Sequence, residues 1–353
     1  MRLGFLGAFL LLLSVPTGAQ PAVVSGRVVD ADGGEGLPGA NVYLSGTTRG
    51  AAAGADGAFS FSAPALGDAD LVATVLGYEA AVRSVRLTPG GTVEVAFRLQ
   101  ASDLSLGEVR VEGRPSRDWR RSLKRFERAF LGTSRNARRA ELVNPEVMDF
   151  ERESERLTAT SREPLVVDND GLGYRLTLLQ LRFEATDDAW GWRSPLQYED
   201  LPSATSRAVQ EARRETYLGS VRHFLSALVA GRVREEGFQV RSPAQPGSPS
   251  HRAVLTPERL ARLVTADPSG EGYRIASAAP LQVTYIRESD PRPGAGRRSN
   301  QLSWLVFEHG AVQVDADGRS LDAAPVTRYG YWDWERAADL LPADYTLAGG
   351  TSD

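Results

Sequence analysis

The chain has 353 residues, 42% hydrophobic and 24% charged, with a formal net charge of −4 and no cysteine. Those values describe a globular protein with room for two domains of ordinary size. They exclude a global positive field for nucleic acid, a disulfide framework and a cysteine-borne lipid anchor.

Met1-Arg2 is followed by an apolar run from Leu3 to Val15, then Pro16 and the small residues Thr17-Gly18-Ala19. A basic start, an apolar stretch too short to span comfortably and a small-residue exit predict a signal peptide over 1–19, cut after Ala19. The expected location is the periplasm, the outer-membrane surface or the exterior, with no transmembrane segment after signal removal.

From Ala22 to about Gly113 the pattern is strand, turn, strand. VVSGRVVD, ANVYLSG, GAFSFSA, DLVATVLGYE, AAVRSVRL, TVEVAFRLQ and GEVRVEG are short runs punctuated by Gly, Pro and Asp. Val93, Val95, Phe97 and Leu99 alternate with the outward Glu94 and Arg98, and Phe59 shares a face with Phe61. About seven such strands over residues 20–113 predict an all-β sandwich.

The period then changes. Between Ser116 and Leu131, Trp119, Leu123, Phe126 and Phe130 recur every three or four positions, which predicts an amphipathic helix inside a basic linker, 114–139. This linker sets ten basic residues against Asp118 and Glu127. It reads as a surface for phosphate-bearing lipopolysaccharide or as a solvated face in a chain where Lys124 is the single lysine among many arginines.

Residues 140–353 read as an α+β domain. Strands are expected in 155–186, in PLQVTYIRES and in QLSWLVFEHGAVQVDADG. A long helix is expected from Ser206 to Gly231, another start at Thr256-Pro257-Glu258, and a short final helix around WDWERAADLL.

The order Gly26-x-Val28-x-Asp30, Leu37-Pro38-Gly39-Ala40-Asn41-Val42, Gly46-Thr47, Gly50, Asp56-Gly57-x-Phe59 and Gly77-Tyr78 resembles the carboxypeptidase-regulatory-like (transthyretin-like) β-sandwich of exported proteins from Bacteroidota-type bacteria. The chain departs from that pattern at Ala51, Ala53 and Gly54, where threonines and an aspartate are usual. The C-terminal stretches resemble exported proteins named only for their regulatory-like domain, which implies no chemistry. LSLGEVRVEG resembles the stretch after the sandwich in TonB-dependent receptors. The roughly 240 residues beyond it carry helices and no sustained barrel alternation, which argues against a receptor barrel.

Zinc peptidases need closely spaced His and Glu ligands. His223, His251 and His309 have no acid at the third following position, so no metal and no other cofactor is expected. No G-x-S-x-G elbow occurs. Asp187-Asp188 beside Trp190 and Trp192 fits a sugar-stacking carboxylate site, but reads better as a strand end with tryptophans that fill a core or edge. Asp315-Ala316-Asp317-Gly318 resembles a calcium loop but has its glycine two positions early, so it reads as a hairpin turn.

The expectation is a non-enzymatic exported binding or envelope-associated protein, with a cell-envelope protein or glycan as partner and no nucleic acid. Its candidate binding surface is Trp190, Trp192, Arg121 and Arg125. The alternative is a glycan or peptide hydrolase with its site in the C-terminal α+β domain. Clustered acids around a Trp-lined cleft would favour the hydrolase, and the lack of a sizeable polar pocket would favour the binding protein.

Overall fold

The computed structural model describes residues 20–102, 116–187, 189–243, 245, 253–268, 270, 272–296, 299–321 and 326–347. The expected signal peptide, the strand GEVRVEG, Asp188 and His251 lie outside the described residues.

Seven strands build the N-terminal sandwich: β1 (Ala22–Asp30), β2 (Asn41–Leu44), β3 (Gly50–Ala52), β4 (Ala58–Ala63), β5 (Gly67–Thr74), β6 (Ala81–Leu87) and β7 (Thr92–Leu99). One sheet has the order β4-β1-β7 and the other β3-β2-β5-β6. β1 runs antiparallel to β4 and parallel to β7, where Val23 to Asp30 face Thr92 to Leu99 in unbroken register. The alternation read from β7 holds: Phe97 and Leu99 are buried and Glu94 and Arg98 exposed, with Val93 and Val95 half-buried toward the strand's start. Phe59 and Phe97 meet in the core at 6.3 Å between ring centroids. The seventh described strand is β3, in the loop where the usual threonines are absent.

Helix α1 (Arg117–Phe130) follows, capped by Ser116, whose hydroxyl accepts from the Trp119 N–H at 3.0 Å. Phe126 and Phe130 are fully buried and stack at 5.0 Å. They close a second core between two sheets. β8 (Ala140–Leu142), β9 (Met148–Glu153), β10 (Arg156–Ser161), β11 (Leu165–Asn169), β12 (Tyr174–Leu178), β13 (Arg182–Ala185), β14 (Trp190–Arg193) and β15 (Leu196–Asp200) pair as β14-β13-β10-β9 and β15-β12-β11-β8.

The helix expected over 206–231 is two helices, α2 (Arg207–Tyr217) and α3 (Val221–Val229). Leu218 is extended and Gly219 takes φ +78°, a conformation natural to glycine. Ser220 then caps α3 by accepting from the His223 N–H at 3.2 Å. The Gly-Ser pair is a stop followed by a start.

A third core forms under α3 from β16 (Phe238–Arg241), α4 (Pro257–Ala261), β17 (Val264–Ala266), β18 (Tyr273–Ala276), β19 (Leu281–Ser289), β20 (Asn300–Phe307), β21 (Ala311–Val314), β22 (Val326–Gly330) and α5 (Tyr331–Trp334). Its sheets are β16-β19-β20-β22 and β17-β18-β21. The C-terminal region is thus mostly strand, with short helices laid on it.

The last described segment ties the cores together. Trp332 is buried in the third core, its indole donating to Gly219 O at 2.7 Å. Ala337 and Ala338 are buried in the second, where the Asn169 amide donates to Ala338 O at 2.9 Å. Ala343 packs on the sandwich and donates its N–H to Gly46 O at 2.8 Å. The Arg222 guanidinium holds the same run through the carbonyls of Pro342, Ala343 and Tyr345.

Candidate functional site

Where the chain passes from the third core to the second, it borders a cleft of about 300 Å³. Glu335 and Asp339 line it from the passing segment, Ser134 and Asn136 from the loop after α1, and Glu288 and Gln301 from the β19–β20 pair. An irregularity in that pair positions the last two. Tyr285 faces Gln301, yet the next pair is Ser289 with Asn300, so three residues of β19 bulge. Bulges re-aim side chains. Here Glu288 receives a hydrogen bond from the Gln301 amide at 2.9 Å.

Asp339 is held by side chains of the loop after α1. Its Oδ1 accepts from the Ser134 hydroxyl at 2.7 Å and the Asn136 amide at 3.0 Å. Its Oδ2 is buried without a partner, and so is Oε1 of Gln301, a side chain 4% exposed. Burying an acceptor with no donor costs about 1–3 kcal/mol, so two in one cleft call for an explanation. Burial pushes Asp339 above the usual carboxylate range, and burial with the nearby Asp339 charge pushes Glu335 well above it. Glu288 is raised by burial too. Glu335 keeps partial access to solvent through the cleft while protein surrounds it on its other sides. Tyr331 and Trp334, 5.6 Å apart, form an aromatic wall, and the Trp334 indole donates to Thr133 Oγ1 at 3.2 Å.

The residues singled out from the sequence stand elsewhere. Trp190 is a half-buried edge residue whose indole donates to Asp333 Oδ1 at 2.9 Å and whose face is covered by the Arg336 guanidinium at 3.8 Å. It therefore braces the back of the segment whose front carries Glu335 and Asp339. Trp192 meets Phe130 edge-on at 5.7 Å. Arg125 donates to Glu155 O and lies 3.3 Å from Asp187, while Arg121 pairs with Asp118 on the exposed face of α1. The four do not line the cleft.

His223 is buried, with Nδ1 accepting from the Gly219 N–H at 3.0 Å and Nε2 3.3 Å from Glu236, so it secures the break between α2 and α3. The Asp315 turn is filled by Arg319, which pairs with Asp315 and Asp317. Among the described residues no group of three His, Asp or Glu side chains is placed to hold a metal ion. None of their helices is long and apolar enough to cross a membrane. Nothing in the sequence flagged Glu288, Gln301, Glu335 or Asp339. Glu288 and Gln301 fall within the expected strands PLQVTYIRES and QLSWLVFEHGAVQVDADG, and Glu335 and Asp339 within the expected final helix.

Residues 24–111 match the family model described as the CarboxypepD_reg-like domain. No curated protein sequence matches the chain. Among solved structures, a candidate carbohydrate-binding protein from Bacteroides uniformis ATCC 8492 is similar at 7% identity and TM-score 0.20, covering 84% of this chain and 99% of its own. Hydroxyquinol 1,2-dioxygenase from Pseudomonas putida DLL-E4 is similar at 12% identity and TM-score 0.19, over 25% of this chain and 58% of the dioxygenase. The Bacillus anthracis TIE protein is similar at 13% identity and TM-score 0.19, over 52% of this chain and 31% of its own.

Proposed function

We propose that this chain, whose residues 24–111 are a CarboxypepD_reg-like domain, is an exported, non-enzymatic binding protein of the cell envelope. The regulatory-like domain fits a binding role. The ligand site is the cleft between the second and third cores, and the ligand is a small molecule that supplies hydrogen-bond donors. One observation carries this reading: Gln301 and Asp339 both line the cleft, and each carries a buried acceptor, Oε1 and Oδ2, with no hydrogen-bond partner among the described residues.

A thermal-shift screen of small polar ligands against the purified protein and its Gln301→Leu variant tests it. Ligands that stabilise the first and not the second are expected. A screen with no such ligand overturns the reading. Export is tested by intact mass: the mature protein begins at Gln20, and retention of residues 1–19 overturns that part.

The second reading is a hydrolase acting on glycan or peptide at the same cleft. The acids beside Trp334 favour it, because a carboxyl group kept protonated is what a general acid requires. Binding is placed first because the regulatory-like domain fits a binding role. Turnover of reporter glycosides or peptides that Glu335→Gln abolishes, with ligand binding intact, would reverse that order.

A further inference from the structure

We infer that the outward face of α1 is a docking surface for a lipid bilayer that carries anionic phosphate headgroups. The inference goes beyond the ligand site, because no residue of α1 lines the cleft.

The rotation of the helix is fixed by its inner side. Ser122, Phe126 and Phe130 are buried, and the Trp119 indole donates inward to Met148 O at 3.0 Å. Opposite them Arg117, Arg121, Lys124 and Arg128 are exposed, at spacings of four, three and four that align them in one stripe. Arg120 is exposed beside it. At 1.5 Å of rise per residue the stripe is about 16 Å long.

This stripe is short of counter-charge. α1 holds six basic residues and two acidic ones, and both acids stand at its edges. Asp118 meets Arg121 at 3.1 Å in a pair exposed on both sides, where water and salt leave little net attraction. Burial raises the half-buried Glu127 carboxyl even with the Lys124 charge nearby. Arg125, to one side, donates to Glu155 O and lies 3.3 Å from Asp187. Arg117, Arg120 and Arg128 form no ion pair with a described residue.

The spacing also works against the helix itself. Arg117–Arg121, Arg120–Lys124, Arg121–Arg125 and Lys124–Arg128 are like charges four positions apart, an arrangement that destabilises a helix. Arg117 and Arg120 crowd the positive end of its dipole as well. The abundance of arginine does not account for the pattern, because α2 draws on the same composition and spaces its charges as opposites. There Arg207 stands four positions before Glu211, Arg214 lies 3.4 Å from Glu211, and Arg213 is buried against Asp200. A negatively charged partner relieves the repulsion in α1.

A row of charge along a straight helix fits a broad surface better than a cavity. The apolar residues Leu123, Phe126, Ala129 and Phe130 pack in the second core, so none is left to enter the acyl chains. No aromatic ring of α1 is fully exposed to stack on nucleic-acid bases. Clusters of about four to eight basic residues on an amphipathic helix draw anionic headgroups. The chain as a whole has a formal charge of −4, so an anionic bilayer repels its other faces and turns this one inward.

Co-sedimentation of the full-length mature protein with vesicles provides the test, with phosphatidylcholine alone and phosphatidylcholine mixed with phosphatidylglycerol. Binding is expected to the mixed vesicles only, and it should fall as salt is raised. Each basic side chain at an anionic bilayer strengthens binding about fivefold, so Arg121→Gln, Lys124→Gln and Arg128→Gln together should weaken it about a hundredfold. That triple variant removes the like-charge pairs and should melt no lower than the parent. Should it fail to fold, Lys124→Gln alone carries the comparison at about fivefold. Arg207→Gln, Arg259→Gln and Arg262→Gln together make the same change in net charge at exposed positions elsewhere and should leave binding unaltered. Equal binding to both kinds of vesicle, binding to neither, or binding that the α1 variants leave unchanged overturns the inference. So does an equal loss in the control variant, which would show overall charge at work. Tighter binding of single-stranded DNA than of mixed vesicles, lost in the α1 triple variant, overturns the bilayer as the partner.

Discussion

Asp344 accepts from Thr48 twice, from its N–H at 2.9 Å and its hydroxyl at 2.5 Å, across 296 residues of sequence. Arg49 adds an ion pair at 3.0 Å to the same carboxylate, which is 6% exposed although the arginine is half in solvent. The sandwich is therefore fastened to the end of the chain by a buried charge. Asp344→Ala should cost about 1.5–3 kcal/mol, the range for hydrogen bonds to a charged group, with most weight on Thr48 because Arg49 is screened. Urea midpoints and proteolytic release of the sandwich measure it. An unchanged midpoint together with unchanged protease resistance would show the fastening to be idle.

Gly219 is where α2 gives way to α3. A methyl group there would stand 2.7 Å from both Tyr285 Cδ1 and Gln301 Oε1, at a φ of +78°. Gly219→Ala should destabilise the protein by about 1–3 kcal/mol through backbone strain alone, and more through the clash. It should also disturb Gln301 and hence ligand binding at the cleft. A variant of full stability would mean that the two helices are continuous in solution.

Phe97 fixes the register of the sandwich. Phe97→Ala should cost about 3–5 kcal/mol, as for other large rings removed from a core. Arg98→Ala, one residue on and facing solvent, should stay within about 0.5 kcal/mol. Chemical denaturation of both variants decides the matter, and equal effects would show the strand to be slipped by one residue.

Glu335 gives the protein a pH dependence of a particular sign. Burial and the neighbouring acids raise its proton affinity in the folded state. The folded form then holds more protons than the unfolded form between the ordinary carboxylate range and the raised value. Stability therefore falls as pH rises through that window. Glu335→Gln removes this loss, so it should be more stable than the parent at pH 7.5, with the gap closing by about pH 4, where both forms are protonated. Urea titrations at the two pH values test it, and a variant weaker at both would place Glu335 in a structural pair instead.

Local features of the fold were legible because local chemistry decides them. Ser116 caps a helix whose stripe runs through Phe126 and Phe130, and alternation around Phe97 fixes a strand. The break at Gly219-Ser220 was written in the sequence as well, but the apolar stripe running through it, from Val209 to Leu228, reads as a single helix. The cleft was not legible. Glu288 reaches Gln301 only because β19 bulges, and Asp339 lines the same cleft only because Trp332 and Ala338 are buried in different cores. Trp190 sits on an edge strand, where period-2 pattern cannot reveal that its indole meets Asp333, 143 residues away.

The parallel pairing of β1 with β7 has a mechanical consequence. Chain enters the sandwich at the start of β1 and leaves at the end of β7, at opposite ends of adjacent strands, about 26 Å apart at 3.3 Å per residue. A pull between Gln20 and Ser102 is thus borne along the strands. The hydrogen bonds joining Val23–Asp30 to Thr92–Leu99 are loaded together, in shear, rather than opened one after another from an end. Pulled between those two ends, the module would resist stretching far better than its modest core suggests.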